Sequence, residues 1–92
     1  MKAVQITPDW EPRLQDMLAD LNVHQVRVDL LPHHCFCVQF LAAVMVEGKL
    51  WNARLVLDEM DPMLGSLDEI AAKLREVITD PKYRNGSFKP SE

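Results

Sequence analysis

Histidine and cysteine side chains concentrate in one short segment, and their types suit metal binding. His33, His34, Cys35 and Cys37 offer imidazole and thiolate ligands, which zinc and other thiophilic metals prefer. The cysteines have Cys-x-Cys spacing instead of the usual Cys-x2-Cys, and His24 is the only other histidine or cysteine. As an alternative, the cysteines are small apolar residues of a strand beside polar turn histidines. We therefore expect no metal and no cofactor, with a small metal-binding regulator as an alternative.

The remaining reactive side chains do not form a catalytic motif. The chain has no nucleophile elbow, no glycine-rich phosphate loop and no cysteine–histidine pair with a placed third member. Asp58, Glu59 and Asp61 offer carboxylates, but acidic loops after strands are common in proteins that are not enzymes. We expect no catalytic residues and no enzymatic activity.

Length, composition and charge indicate one small acidic domain. The 92 residues are 48% hydrophobic and 26% charged, with a formal net charge of −4. Such a chain can fold without staples, and its negative charge argues against nonspecific nucleic-acid binding over the whole surface. The sequence shows no secretory signal and no stretch that could span a bilayer, and its two cysteines are poorly placed for a mutual disulfide. We expect a cytoplasmic protein.

Two segments have the apolar spacing of amphipathic helices. The first follows Asp9, a candidate N-cap, and should end near Asn22. The second begins with the capping-box pattern Ser66-Leu67-Asp68-Glu69 and ends before Pro81. A short alternating run from Lys2 to Thr7 is a possible strand before the first helix.

Three consecutive strands are predicted between the helices. Residues 24–30 alternate with a period of two, and a longer strand runs from Cys35 to Val46. Glu47-Gly48 predicts a tight turn, since glycine readily adopts the positive φ that hairpin turns need. Pairing Val46 with Lys49 across this turn produces a face of apolar pairs: Val44 with Trp51, Ala42 with Ala53, Phe40 with Leu55 and Val38 with Leu57. A slip of one residue would mix the two faces, so the sequence selects this register.

These elements predict an α+β domain of order βαβββα. The antiparallel sheet would have three to four strands, with both helices on one face. We place the domain at residues 1–80 and expect residues 81–92 to form an extended C-terminal tail.

The sheet face away from the helices is the strongest candidate for a binding site. The predicted register places large apolar side chains there among amides and arginines, a mixture typical of protein interfaces. The predicted partner-binding residues are Leu41, Met45, Leu50, Asn52, Arg54 and Val56, together with the acidic residues Asp58, Glu59 and Asp61. The alternatives are homodimerisation through this face, or its coverage by the N-terminal segment or the tail.

The C-terminal tail interleaves cations with aromatic rings. Lys82, Tyr83, Arg84 and Lys89 could contact the phosphates and bases of a single RNA strand. A plain chain terminus is the alternative interpretation of the same residues.

The order of helices and strands over about residues 9–80 resembles the double-stranded RNA-binding domain. That family grips phosphates with lysines at the start of its last helix. The corresponding residues here are Ser66, Leu67, Asp68 and Glu69, which would repel phosphate. We therefore do not expect duplex RNA binding.

In its size, acidity, α+β build and lack of a family motif, the whole chain resembles the small phage-encoded inhibitors of bacterial defence, and anti-CRISPR proteins in particular. The resemblance implies an inhibitor of a type I CRISPR effector complex, acting in the host bacterial cytoplasm without turnover or cofactor. It would bind subunits of this ribonucleoprotein, touch the guide RNA with the tail and block access of target DNA. The alternative function is an acidic secretion or phage-assembly chaperone that acts as a homodimer.

Overall fold

A computed structural model describes residues 7–31 and 37–91 of the chain. Within these ranges the elements are α1 (Trp10–Met17), β1 (Val23–Leu31), β2 (Cys37–Val46), β3 (Lys49–Asp58), α2 (Leu67–Thr79) and β4 (Phe88–Pro90). The four strands form one antiparallel sheet in the order β1-β2-β3-β4. The predicted α+β class, with two helices and an antiparallel sheet, is confirmed.

The fourth strand comes from the C-terminal part of the chain and not from the N-terminal segment that the sequence suggested. The possible strand from Lys2 to Thr7 lies outside the described residues except for Thr7, which belongs to no strand. Instead, Phe88–Pro90 pairs with Trp51–Ala53 of β3. The described order is therefore αβββαβ. The segment that follows Pro81, which we expected to be an extended tail, adds a strand to the sheet.

The hairpin of β2 and β3 has the predicted register throughout. Val46 pairs with Lys49, and the pairing continues without a shift to Cys37 opposite Asp58. In the turn, φ is 49° at Glu47 and 83° at Gly48. Positive φ at both central residues is what a type I′ turn requires, so this turn matches the twist of the two strands.

Alternate residues of the sheet bury one face beneath the helices. Phe40, Ala42 and Ala53 are completely buried. Trp10 of α1 stacks on Phe40, with 6.4 Å between the ring centroids. The helices contribute the fully buried side chains of Leu14, Ile70 and Leu74, and Leu18 directly after α1 contributes another. Since a buried aliphatic side chain contributes about 1.5–3 kcal/mol, this layer is the main source of stability.

The first helix begins after the predicted Asp9, but α1 itself ends at Met17, five residues before the predicted Asn22. Asp9 directly precedes α1, but its side chain caps no backbone amide and instead accepts a hydrogen bond from the Thr7 hydroxyl. A short 3-10 helix over Ala19–Leu21 follows α1. The chain then turns at Asn22, whose φ of 60° is left-handed. Asn22 therefore ends the helical segment, as its residue type suggested.

Half of the predicted capping box is formed at α2. The Ser66 Oγ atom accepts a hydrogen bond from the Glu69 amide at 3.3 Å. The Ser66 amide donates to the Met63 carbonyl, which takes the place of the Glu69 carboxylate.

Among the described helices, none is long and apolar enough to cross a membrane.

Polar side chains of α1 cover part of the outer edge of β1. Glu11 accepts a hydrogen bond from the Val28 amide at 2.8 Å, and the Gln15 amide donates to the His24 carbonyl at 3.1 Å. These backbone groups would otherwise be open to pairing with a further strand. The edge of β1 is therefore a poor place for strand addition, which leaves the outer face of the sheet as the larger accessible surface.

β4 is anchored by one buried aromatic ring. Phe88 is fully buried, and its ring centroid lies 4.9 Å from that of Trp51. Backbone hydrogen bonds from Arg54 to Ser87 (2.8 Å) and from Ser91 to Leu50 (2.9 Å) extend the pairing on both sides. The C-terminal segment is thus part of the folded layer.

Candidate functional site

The sheet surface that faces away from the helices is called the open face below. Its residues alternate with the buried ones along each strand, as the two-residue period of a β-strand dictates. The open face comprises Gln25, Arg27, Asp29 and Leu31 of β1, Gln39, Leu41, Ala43 and Met45 of β2, with Cys37 at its start, Leu50, Asn52, Arg54, Val56 and Asp58 of β3, and Lys89 of β4.

Several large apolar side chains of the open face are accessible to solvent. Met45 is 42% exposed, Leu50 38% and Val56 40%, while Leu41 is half-buried between them. The outer face of an antiparallel sheet is normally polar, so this composition is unusual. The structure places all six predicted non-acidic contact residues on this one face.

Cross-strand pairing arranges the open face in rows. Arg27, Leu41 and Arg54 form one row across β1, β2 and β3. The next row towards the hairpin turn contains Gln25, Ala43, Asn52 and Lys89. Met45 and Leu50 pair beyond it. The centre of the face therefore combines one aliphatic side chain with several cations, and the hairpin end is apolar.

The cations at the centre differ in their partners. Arg27 lies 3.5 Å from the Asp29 carboxylate. The Arg54 Nε atom donates to the Gln39 Oε1 atom at 2.6 Å, which is a neutral partner. Within residues 7–31 and 37–91, neither Arg54 nor Lys89 forms an ion pair. This part of the sheet is therefore positive, although the whole chain has a formal net charge of −4.

An open cleft lies where β3 meets the chain that leads into β4. This β3–β4 cleft has a volume of about 420 Å³ and is lined by Leu41, Asn52, Arg54, Gly86, Ser87, Lys89, Pro90 and Ser91. Its guanidinium, ammonium, amide and hydroxyl groups can donate hydrogen bonds and attract a negative charge. They are suited to holding an anionic group.

The predicted acidic contact residues lie at one end of the open face, where Asp58 is its last member, and in the loop just after it. Asp58 ends β3, about 26 Å along the strand from Leu50 at ordinary strand rise. The Asp58 carboxylate accepts a hydrogen bond from the Met60 amide, and Asp61 accepts one from the Met63 amide, each at 2.8 Å. Two of the three predicted carboxylates thus also hold the loop after β3 in place.

The predicted RNA-contact residues do not share one surface. The Tyr83 hydroxyl donates to Glu76 at 3.1 Å, and Lys82 lies 3.4 Å from the same carboxylate. Arg84 lies over the Trp51 ring, 5.4 Å from its centroid. Lys89 is the member of this set that lies on the open face. RNA contact through Lys82, Tyr83, Arg84 and Lys89 stays a prediction.

Mutual pairing favours the charged forms of Glu76 and Lys73 in a polar cluster that joins α2 to the chain after it. The hydrogen bond from Tyr83, supported by nearby Lys73 and Lys82, holds the pKa of Glu76 below its ordinary value. The hydrogen bond to Tyr83, with the charge of Glu76, raises the pKa of Lys73. These groups satisfy one another's hydrogen bonds and charges, so the cluster holds the chain after α2 against the helix.

The candidate metal ligands fall largely outside the described residues. This applies to His33, His34 and Cys35, while Cys37 is described and is a free, half-buried thiol. No three His, Cys, Asp or Glu side chains in the described part of the chain are grouped to hold a metal ion.

Sequence reasoning missed the contribution of Ser87 to the site, and it treated Lys89 as part of a tail. Both errors follow from the missed strand β4, which brings these residues beside β3. The available signal was Asn85-Gly86, a turn dipeptide followed closely by an apolar residue. The φ of 68° at Asn85 is consistent with that turn.

Comparisons of the chain with protein-family models, with curated proteins and with solved structures found no match.

Proposed function

We propose that this protein is a non-enzymatic inhibitor that docks through its open face on a bacterial CRISPR effector complex and blocks recognition of target DNA. One observation carries the docking part of the proposal. Met45 and Leu50 are exposed side by side at the hairpin end of a sheet face that would ordinarily be polar, and Val56 is exposed further along the same face. Contiguous exposed apolar side chains commonly mark the surface that a partner buries.

The chemistry of the open face favours a protein as the partner. Methionine and arginine are enriched in protein interfaces, and here Met45 accompanies Arg27 and Arg54. Complete burial of an aliphatic side chain contributes at most about 1.5–3 kcal/mol, and part of this is already gained in the free protein. Stable binding to a partner therefore needs several such side chains, and the rows of the open face provide them.

The groups around the β3–β4 cleft support binding without turnover. Asn52, Arg54 and Lys89 can hold a partner's anionic group. A catalytic mechanism would need a nucleophile, a base and an orienting group within hydrogen-bond reach of one another. The proposal therefore assigns inhibition to occupancy of the partner's surface, in the host cytoplasm and without a cofactor.

The partner class comes from the resemblance in size, acidity and build to phage-encoded inhibitors. The acidic residues after β3 fit a partner with a positive surface. Asp58 ends the open face and Glu59 and Asp61 follow it in the loop, where they would approach the basic groove that normally holds nucleic acid. Such complementary charge raises the association rate and the specificity more than the affinity.

The test is the binding of target DNA by a purified type I effector complex, measured by gel shift with increasing amounts of this protein. We expect inhibition to saturate at a fixed molar ratio and not to deepen with longer incubation. Unchanged DNA binding at saturating protein would overturn the CRISPR assignment. Progressive inhibition by a small fraction of an equivalent would overturn the non-enzymatic mode.

The homodimeric chaperone makes a different prediction for the isolated protein. In a face-to-face dimer, each copy would bring unpaired cations such as Arg54 towards the other copy, while both carry a net charge of −4. We therefore expect light scattering to give a mass near 10.5 kDa. Twice that mass at low concentration would favour the chaperone.

A further inference from the structure

The β3–β4 cleft stands out because its cations have no ionic partner. Arg13, Arg27, Lys73, Arg75 and Lys82 each lie within 4.0 Å of a carboxylate. Arg84 lies instead over the Trp51 and Phe88 rings. In an acidic chain, such pairing is the expected state of a cation. Arg54, Lys89 and Lys49 differ, since none of them is paired with a carboxylate in the described ranges, and Arg54 and Lys89 are the two that line the cleft.

The sheet register brings these two cations together. Lys89 is the cross-strand partner of Asn52, and Arg54 follows Asn52 by two residues on the same face. They are therefore diagonal neighbours, a relationship with a typical spacing of about 7–8 Å between Cα atoms. Both line the cleft together with Asn52 and Ser87. One anionic group in the cleft can be reached by both side chains.

The Arg54 guanidinium is oriented by its neighbour. Its Nε atom donates to Gln39 at 2.6 Å, while its two Nη groups have no acceptor among the described residues. A guanidinium held in this way can offer a planar fork that matches the two oxygens of a carboxylate. The half-buried Leu41 lies beside it in the cleft.

We infer that the β3–β4 cleft receives a glutamate or aspartate side chain from an acidic segment of the protein partner that also carries apolar side chains. The inference rests on the proposed docking role of the open face and deepens it. The carboxylate binds Arg54 and Lys89, with Asn52 and Ser87 as further donors. Apolar side chains of the same segment pack on Leu41, Met45 and Leu50.

A protein segment fits the open face better than a nucleic-acid strand does. Base recognition without pairing relies on aromatic stacking platforms, and the described open face has no aromatic residue. Trp51 belongs to the opposite face of the sheet, and Arg84 lies over its ring. Two unpaired cations in a chain of negative net charge are also few for binding a phosphate backbone.

The test is an NMR titration of the isotopically labelled full chain with three probes. The first is a blocked peptide of alternating glutamate and leucine, the second its lysine–leucine counterpart, and the third a single-stranded RNA of similar charge to the first. We expect the glutamate peptide alone to shift the amide signals of Asn52, Arg54, Ser87 and Lys89. No such shifts, or stronger shifts at the same residues with RNA, would overturn the inference.

Charge-reversal variants separate specific from general attraction. Arg54→Glu combined with Lys89→Glu should weaken binding of the glutamate peptide by about tenfold or more. Arg13→Glu, a single reversal on α1, should leave it unchanged, and Arg54→Lys should retain part of it. Arg13→Glu changes the net charge by half as much as the double reversal, so a loss of half or more of the double variant's change in binding free energy would show general charge attraction and overturn the cleft assignment. Spectra of each variant establish that the fold is intact.

The outcomes also distinguish this inference from the proposed function. The peptide titration needs no effector complex, so selective peptide binding together with a failed inhibition assay would overturn the CRISPR assignment alone. Full inhibition by the doubly reversed variant, with no peptide binding by the wild type, would overturn the cleft assignment alone.

Discussion

Leu41 on β2 lies directly opposite Arg54 on β3, so an aliphatic side chain and a guanidinium share one row of the open face. Arg27 on β1 lies opposite Leu41 on its other side. Arginine stems can cover apolar surface while their charged ends stay in water. The centre of the open face can therefore offer apolar contact and positive charge to the same partner.

The opposite orientation of neighbouring residues on β2 can be tested with a matched pair of substitutions. Ala42 is fully buried against the helices and faces Ala53, whereas Ala43 lies on the open face. Ala42→Leu should lower the free energy of unfolding by about 1–3 kcal/mol, because a larger side chain at a fully buried position overpacks the core. Ala43→Leu should change it by less than about 0.5 kcal/mol. Equal losses in urea unfolding would contradict this placement of the two faces.

The contribution of β4 to the fold can be measured at Phe88. Removing its fully buried ring with Phe88→Ala should cost about 3–5 kcal/mol of unfolding free energy. Lys89→Ala, one residue further on and facing solvent, should leave stability almost unchanged. Denaturant unfolding measures both variants. If Phe88→Ala were as stable as the wild type, the C-terminal segment would be a dispensable tail after all.

The ion pair between Arg75 and Asp20 joins α2 to the 3-10 helix after α1. The Arg75 Nη1 and Nη2 atoms donate to the two Asp20 carboxylate oxygens at 2.8 and 2.9 Å. The hydrogen bond from Arg75 holds the pKa of Asp20 below its ordinary value of 3.8. A carboxylate with a lowered folded-state pKa stabilises the fold above its unfolded-state pKa, and this stabilisation is lost as the pH falls through the folded-state value.

Arg75→Gln should therefore lower the thermal midpoint at neutral pH by a small amount, since both side chains are well exposed. The difference from the wild type should shrink in acid, once Asp20 is protonated in both proteins. Calorimetry over a pH series measures this difference. A gap that widens as the pH falls below 3.8 would contradict the assigned role of the pair.

The hairpin could be predicted from sequence because local rules agree there. The period of two in β2 and β3 and the Glu47-Gly48 turn all select one register, and a slip would expose the core face. The capping serine and the apolar stripe identified α2 in the same way. The composition of the open face followed directly from this register.

The fourth strand could not be predicted because its stabilisation is non-local. β4 has three residues, too few for a periodic pattern, and Phe88 is buried against Trp51 far back in the chain. The β3–β4 cleft depends on that pairing, so it was also missed. The positions of Arg84 over Trp51 and of Lys82 and Tyr83 against Glu76 depend on the same return of the chain.

The central claim is that the open face is the surface that binds the partner. The most direct measurement is the inhibition of target-DNA binding by a type I effector complex, with two surface variants compared at equal concentration. Met45→Asp combined with Leu50→Asp introduces charge on the open face, whereas Leu30→Asp does so at a 65% exposed leucine outside it. We predict that the open-face variant fails to inhibit, while Leu30→Asp inhibits like the wild type. Full inhibition by the open-face variant, with its fold intact, would contradict the account.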